Sequence, residues 1–145
     1  MKILFIEDDD NKIKQVNDFL REYSPNLDLV VGKSYNSGLK YIMKETYDVI
    51  LLDISMPVFD KSSFNSGGYF MKFGGEDILK EMKRNNISAK TIIVTQYDDF
   101  GEKNLKELKI SFESEFKENY VGTVFYNAAE SNWKKELKEL LKNVI

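Results

Sequence analysis

The chain has 145 residues, 21 of them basic and 24 acidic, for a formal net charge of −3. That length suits one domain with a full hydrophobic core, and the charge offers no basic footprint for nucleic acid. Cysteine and histidine are both absent, which excludes disulfides, thiolate nucleophiles, imidazole bases and metal sites built on either group.

The first apolar run, Lys2-Ile3-Leu4-Phe5-Ile6, leads into Glu7-Asp8-Asp9-Asp10. Ile13, Val16 and Leu20 then recur at helical spacing and predict an amphipathic helix over 11–22. Asp9 and Asp10 are expected at its N-terminus, where the helix dipole favours acids. A second strand is predicted over 27–31. Leu39, Ile42 and Met43 mark a second helix with Ser37 as its N-cap. The third strand, 49–52, ends in Asp53 and is followed by Ile54-Ser55-Met56-Pro57.

Residues 58–75 break the rhythm, with four Gly, three Ser, four Phe and no period. That is too long for an ordinary strand-to-helix loop. It is expected to be an extended loop, serving either as a surface insertion or as a lid or partner-binding element. Ile78, Leu79 and Met82 give the third helix, opening after Gly74-Gly75. A fourth strand over 91–95 ends in Thr95. Leu105, Leu108, Phe112 and Phe116 give a fourth helix in an elongated region, 98–120, that Asp98-Asp99 is expected to begin. The last strand is predicted over 121–126. Trp133, Leu137, Leu140, Leu141 and Val144 give the fifth helix, with Trp133 in the core and Lys134, Lys135, Lys138 and Lys142 on a solvated face.

Alternating strands and helices predict an α/β fold. The simplest form is a single domain, 1–145, built as a doubly wound (βα)5 three-layer sandwich of the flavodoxin-like kind, with a parallel sheet in order 2-1-3-4-5. No run reaches the ~20 apolar residues of a membrane span, so a cytoplasmic protein is expected. The sheet order would bring Glu7, Asp8, Asp53 and Thr95 to one carboxyl edge, where open α/β sheets bind ligands. Crowded carboxylates repel, and a hard divalent cation relieves the repulsion. One of them can then act as a nucleophile.

These residues resemble the receiver domain of two-component response regulators. Lys2-Ile-Leu-Phe-Ile-Glu-Asp-Asp is similar to the first strand and acidic pair, and Asp48-Val-Ile-Leu-Leu-Asp-Ile-Ser-Met-Pro to the phosphoacceptor strand. Thr91-Ile-Ile-Val-Thr resembles the strand that carries the switch hydroxyl, and Gly74-Gly75-Glu76-Asp77-Ile78-Leu79 the start of the third helix. The resemblance implies that Asp53 accepts a phosphoryl group and that Glu7, Asp8, Asp53 and the Ser55 carbonyl hold Mg²⁺. It also implies that Thr95 bonds the phosphoryl oxygen. A histidine kinase or phosphotransfer protein, or a small acyl phosphate, would be the donor, since the chain has no His of its own. With the chain closing on a fifth helix, a stand-alone receiver that signals by contact with a protein target is expected, not an enzyme and not a partner of nucleic acid or membrane.

Two features depart from the family pattern. Receivers end the last strand with a Lys, and here that position falls on Asn127, or on Tyr126 one residue earlier. Gln96 follows Thr95, where a small residue is usual. Both departures, with the two expanded regions, leave open a pseudo-receiver that docks partners without phosphorylation. Asp8-x-Asp10 also resembles the opening motif of haloacid-dehalogenase-type phosphatases, in which Asp8 would be the nucleophile.

Overall fold

The computed structural model describes residues 1–62 and 66–144. Five parallel strands form the central sheet: β1 (Lys2–Ile6), β2 (Asp28–Gly32), β3 (Val49–Leu52), β6 (Lys90–Thr95) and β7 (Tyr120–Phe125). Their order is β2-β1-β3-β6-β7, which is 2-1-3-4-5 when the parallel strands alone are counted. The strands read as near-continuous apolar runs because both faces are covered. Ile3 and Phe5 pack with Val16, Leu20, Trp133 and Leu137 in one core layer. Leu4 and Ile6, one residue out of phase, pack with Ile42, Ile78, Met82 and Leu108 in the other. Helices α1 (Asp10–Tyr23) and α5 (Asn132–Lys142) therefore cover one face. Helices α2 (Tyr35–Lys44), α3 (Gly74–Arg84) and α4 (Leu105–Glu115) cover the opposite face. The doubly wound three-layer sandwich is what the alternating pattern predicted.

Three local details differ from expectation. Ser34, not Ser37, caps α2: each serine hydroxyl accepts from the other's backbone N–H at 3.1 Å. Ser37 is thus the third residue of a capping box and not the cap itself. Residues 98–104 do not extend the fourth helix. Gly101 has φ +86°, which an α-helix does not accept, and its N–H donates to Asp99 Oδ1 at 3.0 Å. Asn104 then starts α4 with a capping box to Glu107, so Asp98-Asp99 belongs to the turn before it.

The described residues of the 58–75 stretch are not structureless. Together with Met56 and Pro57 they build a small antiparallel ribbon from β4 (Met56–Pro57) and β5 (Phe70–Met71). The Val58 N–H donates to the Tyr69 carbonyl at 3.1 Å and the Phe59 N–H to the Gly67 carbonyl at 3.0 Å. Residues 63–65 of the stretch lie outside the described residues. Among the described residues, no helix is long and apolar enough to cross a membrane.

Candidate functional site

Strand register decides which acids meet. Ile6 is paired with Leu52, so Glu7 and Asp53 leave the sheet side by side. The Asp53 N–H donates to the Ile6 carbonyl at 3.2 Å and the Glu7 N–H to the Gly32 carbonyl at 2.9 Å, which keeps both residues in the ladder. Each is almost fully buried. Two adjacent buried carboxylates cannot both stay charged without a partner.

Their partner is Lys12. It sits in the first turn of α1 and is completely buried, at 0% exposure. Its ammonium lies 2.5 Å from Glu7 Oε1 and 3.2 Å from Asp53 Oδ2, and it donates to the Val94 carbonyl at 2.8 Å. The ammonium thus makes one hydrogen bond, to Val94, and two ion-pair contacts, to Glu7 and Asp53. Nζ also stands 5.6 Å from the centre of the Tyr126 ring, within the range of a cation–π contact. Sequence reasoning missed this residue. The signal was present: Lys12, Val16 and Leu20 are spaced by four, so Lys12 lies on the buried stripe of α1 while Ile13 is only half-buried.

The charges in this pocket do not balance. Burial pushes the Glu7 carboxyl up to about 8; Lys12 pulls it down and the charge of Asp53 pushes it further up. For Lys12 burial is the largest single influence and disfavours its charge, yet Asp53 and Glu7 together hold the ammonium above its ordinary value. Both shifts have one origin. Two buried carboxyl groups face one ammonium, and near neutral pH the further positive charge they call for is a proton on Glu7 unless a cation takes its place.

Asp8 stands at the rim, with its side chain one-fifth exposed and Lys61 of the ribbon 3.6 Å away. The ribbon reaches this edge through two further contacts. The Ser34 hydroxyl donates to Asp60 at 2.6 Å, and the Asn36 N–H donates to the Val58 carbonyl at 2.9 Å. Ser55 is tied down by its hydroxyl, which donates to the Lys72 carbonyl at 2.7 Å. Behind β3, Gly75 in the first turn of α3 donates its N–H to the Ile54 carbonyl at 2.8 Å. A Cβ at Gly75 would fall 2.3 Å from the Asp53 carbonyl oxygen. Only glycine lets α3 come this close to the Asp53 backbone.

Thr95 closes β6 fully buried, and its hydroxyl accepts from the Tyr97 N–H at 3.3 Å. Gln96 turns its amide to the Tyr97 hydroxyl at 3.0 Å. The Tyr126 N–H donates to the Thr95 carbonyl at 2.7 Å, so Tyr126 occupies the strand-end position left open between it and Asn127. Its ring is buried against Trp133, and its hydroxyl donates to Gln15 of α1 at 2.7 Å. Asn127 is exposed and caps the following turn by accepting from the Ala129 N–H at 2.9 Å. The phosphatase-like pairing of Asp8 with Asp10 is not built. Asp10 is exposed and pairs with Lys33 at 2.7 Å, while Asp9 caps α1 by accepting from the Asn11 and Lys12 N–H groups.

Mg²⁺ takes one or two carboxylates and completes its shell with water or phosphate oxygens. Asp8, Asp53 and the Ser55 carbonyl are the oxygen donors at this edge that would supply such a shell. Glu7 is otherwise engaged, because Lys12 holds Oε1 and the Asp8 and Asp9 N–H groups donate to Oε2 at 3.1 Å. Among the described residues no three acidic side chains cluster closely enough to hold an ion by themselves.

Comparison with solved structures gives the architecture its name. The chain superposes on the Francisella response regulator 1452 receiver domain with a TM-score of 0.62, at 24% identity over 99% of this chain and 98% of that one. The chain folds as a response regulator receiver domain. A second solved relative by fold is the response regulator TrrA from Thermotoga maritima in complex with Mg²⁺-BeF. There the TM-score is 0.59 at 20% identity, covering 96% of this chain and 97% of that one. Among curated sequences, the Detocs response regulatory protein DtcB of Enterobacter cloacae is 28% identical over 143 residues, 94% of this chain and 95% of its own length. No family model matches the chain. The resemblance read from the acidic pair and the acceptor strand is thus to the family whose fold the chain has.

Proposed function

We propose that this receiver-like domain accepts a phosphoryl group on Asp53 and signals through contact with a protein target. The observation that carries this reading is the placement of Asp53. Its carboxylate sits at the carboxyl edge of the sheet, beside Glu7 and against a buried ammonium, which is where a nucleophilic carboxylate would be shielded from water and steadied as charge builds up. An Asp53 carboxylate oxygen would attack phosphorus of a phosphohistidine or an acyl phosphate. The new bond to oxygen forms as the bond to the leaving group breaks, and the leaving group departs with the electron pair. Mg²⁺, when held by Asp8, Asp53 and the Ser55 carbonyl, would offset charge on the transferring group. Thr95, whose hydroxyl oxygen accepts from Tyr97, would donate its hydroxyl hydrogen to a phosphoryl oxygen and so report the modification to the β6–α4 side. The donor would be a histidine kinase or phosphotransfer protein, because the chain itself has no histidine.

The test is intact-mass spectrometry after incubation with Mg²⁺ and acetyl phosphate. One phosphoryl mass is expected on the wild type and none on Asp53→Asn. A wild type unmodified by acetyl phosphate and by purified kinases alike defeats the reading.

One observation favours the docking-module alternative. Phe59, Tyr69 and Phe70 of the ribbon are 47%, 72% and 57% exposed, and aromatic groups in the open are enriched at binding surfaces. A partner that binds equally well to the wild type and to Asp53→Asn would favour this second reading.

A further inference from the structure

Receivers place a cation at the end of the last parallel strand, and here Tyr126 stands in its place. The charge is not lost. It enters from α1, on the face of the sheet where Tyr126 packs. Of the three contacts made by the Lys12 ammonium, two are to groups that hold it in place: Glu7 Oε1 at 2.5 Å and the Val94 carbonyl at 2.8 Å. The third and longest, 3.2 Å, is to Asp53 Oδ2. Tyr126 forms the floor under the ammonium at 5.6 Å and is itself tied to α1 through Gln15. An aromatic ring at the old position and a lysine on the facing helix are therefore complementary.

We infer that Lys12 is the phosphoryl-binding cation of this domain, supplied by the first helix in place of the last strand. This rests on Asp53 being the acceptor. When Asp53 gains a phosphoryl group, the contact to Oδ2 is exchanged for one to a phosphoryl oxygen, while Glu7 and Val94 keep the ammonium where it is. Glu7 is on this account a positioning residue for Lys12 and not a direct metal ligand. The metal site is left to Asp8, Asp53 and the Ser55 carbonyl. Lys12 then competes with Mg²⁺ electrostatically in the unmodified state, since both neutralise the same acids.

The experiment compares the wild type, Lys12→Met, Lys12→Met/Glu7→Gln and Lys12→Met/Tyr126→Lys. The second variant removes one charge of each sign and so keeps the pocket's balance and its ability to fold; thermal unfolding checks all four. Modification by acetyl phosphate is followed by intact mass, and Mg²⁺ binding by the fluorescence of Trp133, the single tryptophan, whose ring centre lies 5.2 Å from that of Tyr126. Both variants without an ammonium should be modified roughly a hundredfold more slowly, as when one preorganised donor to a developing anion is removed. Lys12→Met should bind Mg²⁺ several times more tightly than the wild type, and lysine at 126 should recover much of the rate. A folded Lys12→Met or Lys12→Met/Glu7→Gln modified as fast as the wild type overturns the inference. So does a lysine at 126 that recovers nothing. A wild type that is never modified overturns the acceptor reading itself, which is a different result.

Discussion

Two lysines serve the same acidic edge in opposite ways. Lys12 is sealed in, with contacts of 2.5, 2.8 and 3.2 Å, and has no exposed surface. Lys61, on the ribbon, stands 3.6 Å from Asp8 with 59% of its side chain exposed. Burial makes the difference. In water an ion pair contributes little, because solvent and salt screen it and two long side chains must be ordered. In a closed pocket the cost of removing one partner is large, because the other charge is left without solvation. Lys12 is thus part of the core, and Lys61 is a surface charge that happens to face an acid.

The comparison can be broken from its buried end first. Lys12→Met should lower unfolding stability by about 3 kcal/mol or more, measured by urea denaturation, since Glu7 and Asp53 would face each other unpaired. Lys12→Met/Glu7→Gln should lose less than half as much, and equal losses would show that packing and not charge is responsible. Gly75→Ala comes next, at about 2 kcal/mol. The added carbon would meet the Asp53 carbonyl oxygen at 2.3 Å, so either the acceptor backbone or α3 must move, and modification by acetyl phosphate should slow with it.

Tyr126→Phe should cost about 1 kcal/mol, the worth of the hydrogen bond to Gln15, while leaving the ring under Lys12. Lys61→Ala sits at the other extreme. It should change stability by less than about 0.5 kcal/mol, and Mg²⁺ affinity by a small factor that vanishes in high salt. A large effect of Lys61→Ala, undiminished by salt, would erase the distinction between the two lysines.

Most of the fold was legible because the strands are buried on both sides. Val49, Ile50, Leu51 and Leu52 are each at 0% exposure, and such runs are hard to mistake for anything but central strands of a parallel sheet. The acids were legible for the same reason: a carboxylate that closes such a run must sit at the sheet edge. Lys12 was not, because a lysine in an acidic, lysine-rich helix is ordinarily a solvated one. Only its spacing from Val16 and Leu20 marks it as facing inward. The ribbon also escaped notice, since Met56, Pro57, Phe70 and Met71 show no alternation and pair over only two residues. The cap of α2 was ambiguous because Ser34 and Ser37 bond each other reciprocally, and either alone fits a cap.

The separation of Glu7 from Lys12 along the chain has a consequence for how the domain assembles. Four residues divide them, so the contact closes within the first strand-and-helix unit, at almost no entropic cost of loop closure. A cation arriving from the last strand would have to wait until more than a hundred residues had been threaded into place. A β1–α1 unit that closed first would give Glu7 its counter-charge before Asp53 and strand β3 docked. Folding kinetics of Lys12→Met would register that as a slower association step, and not merely as faster unfolding.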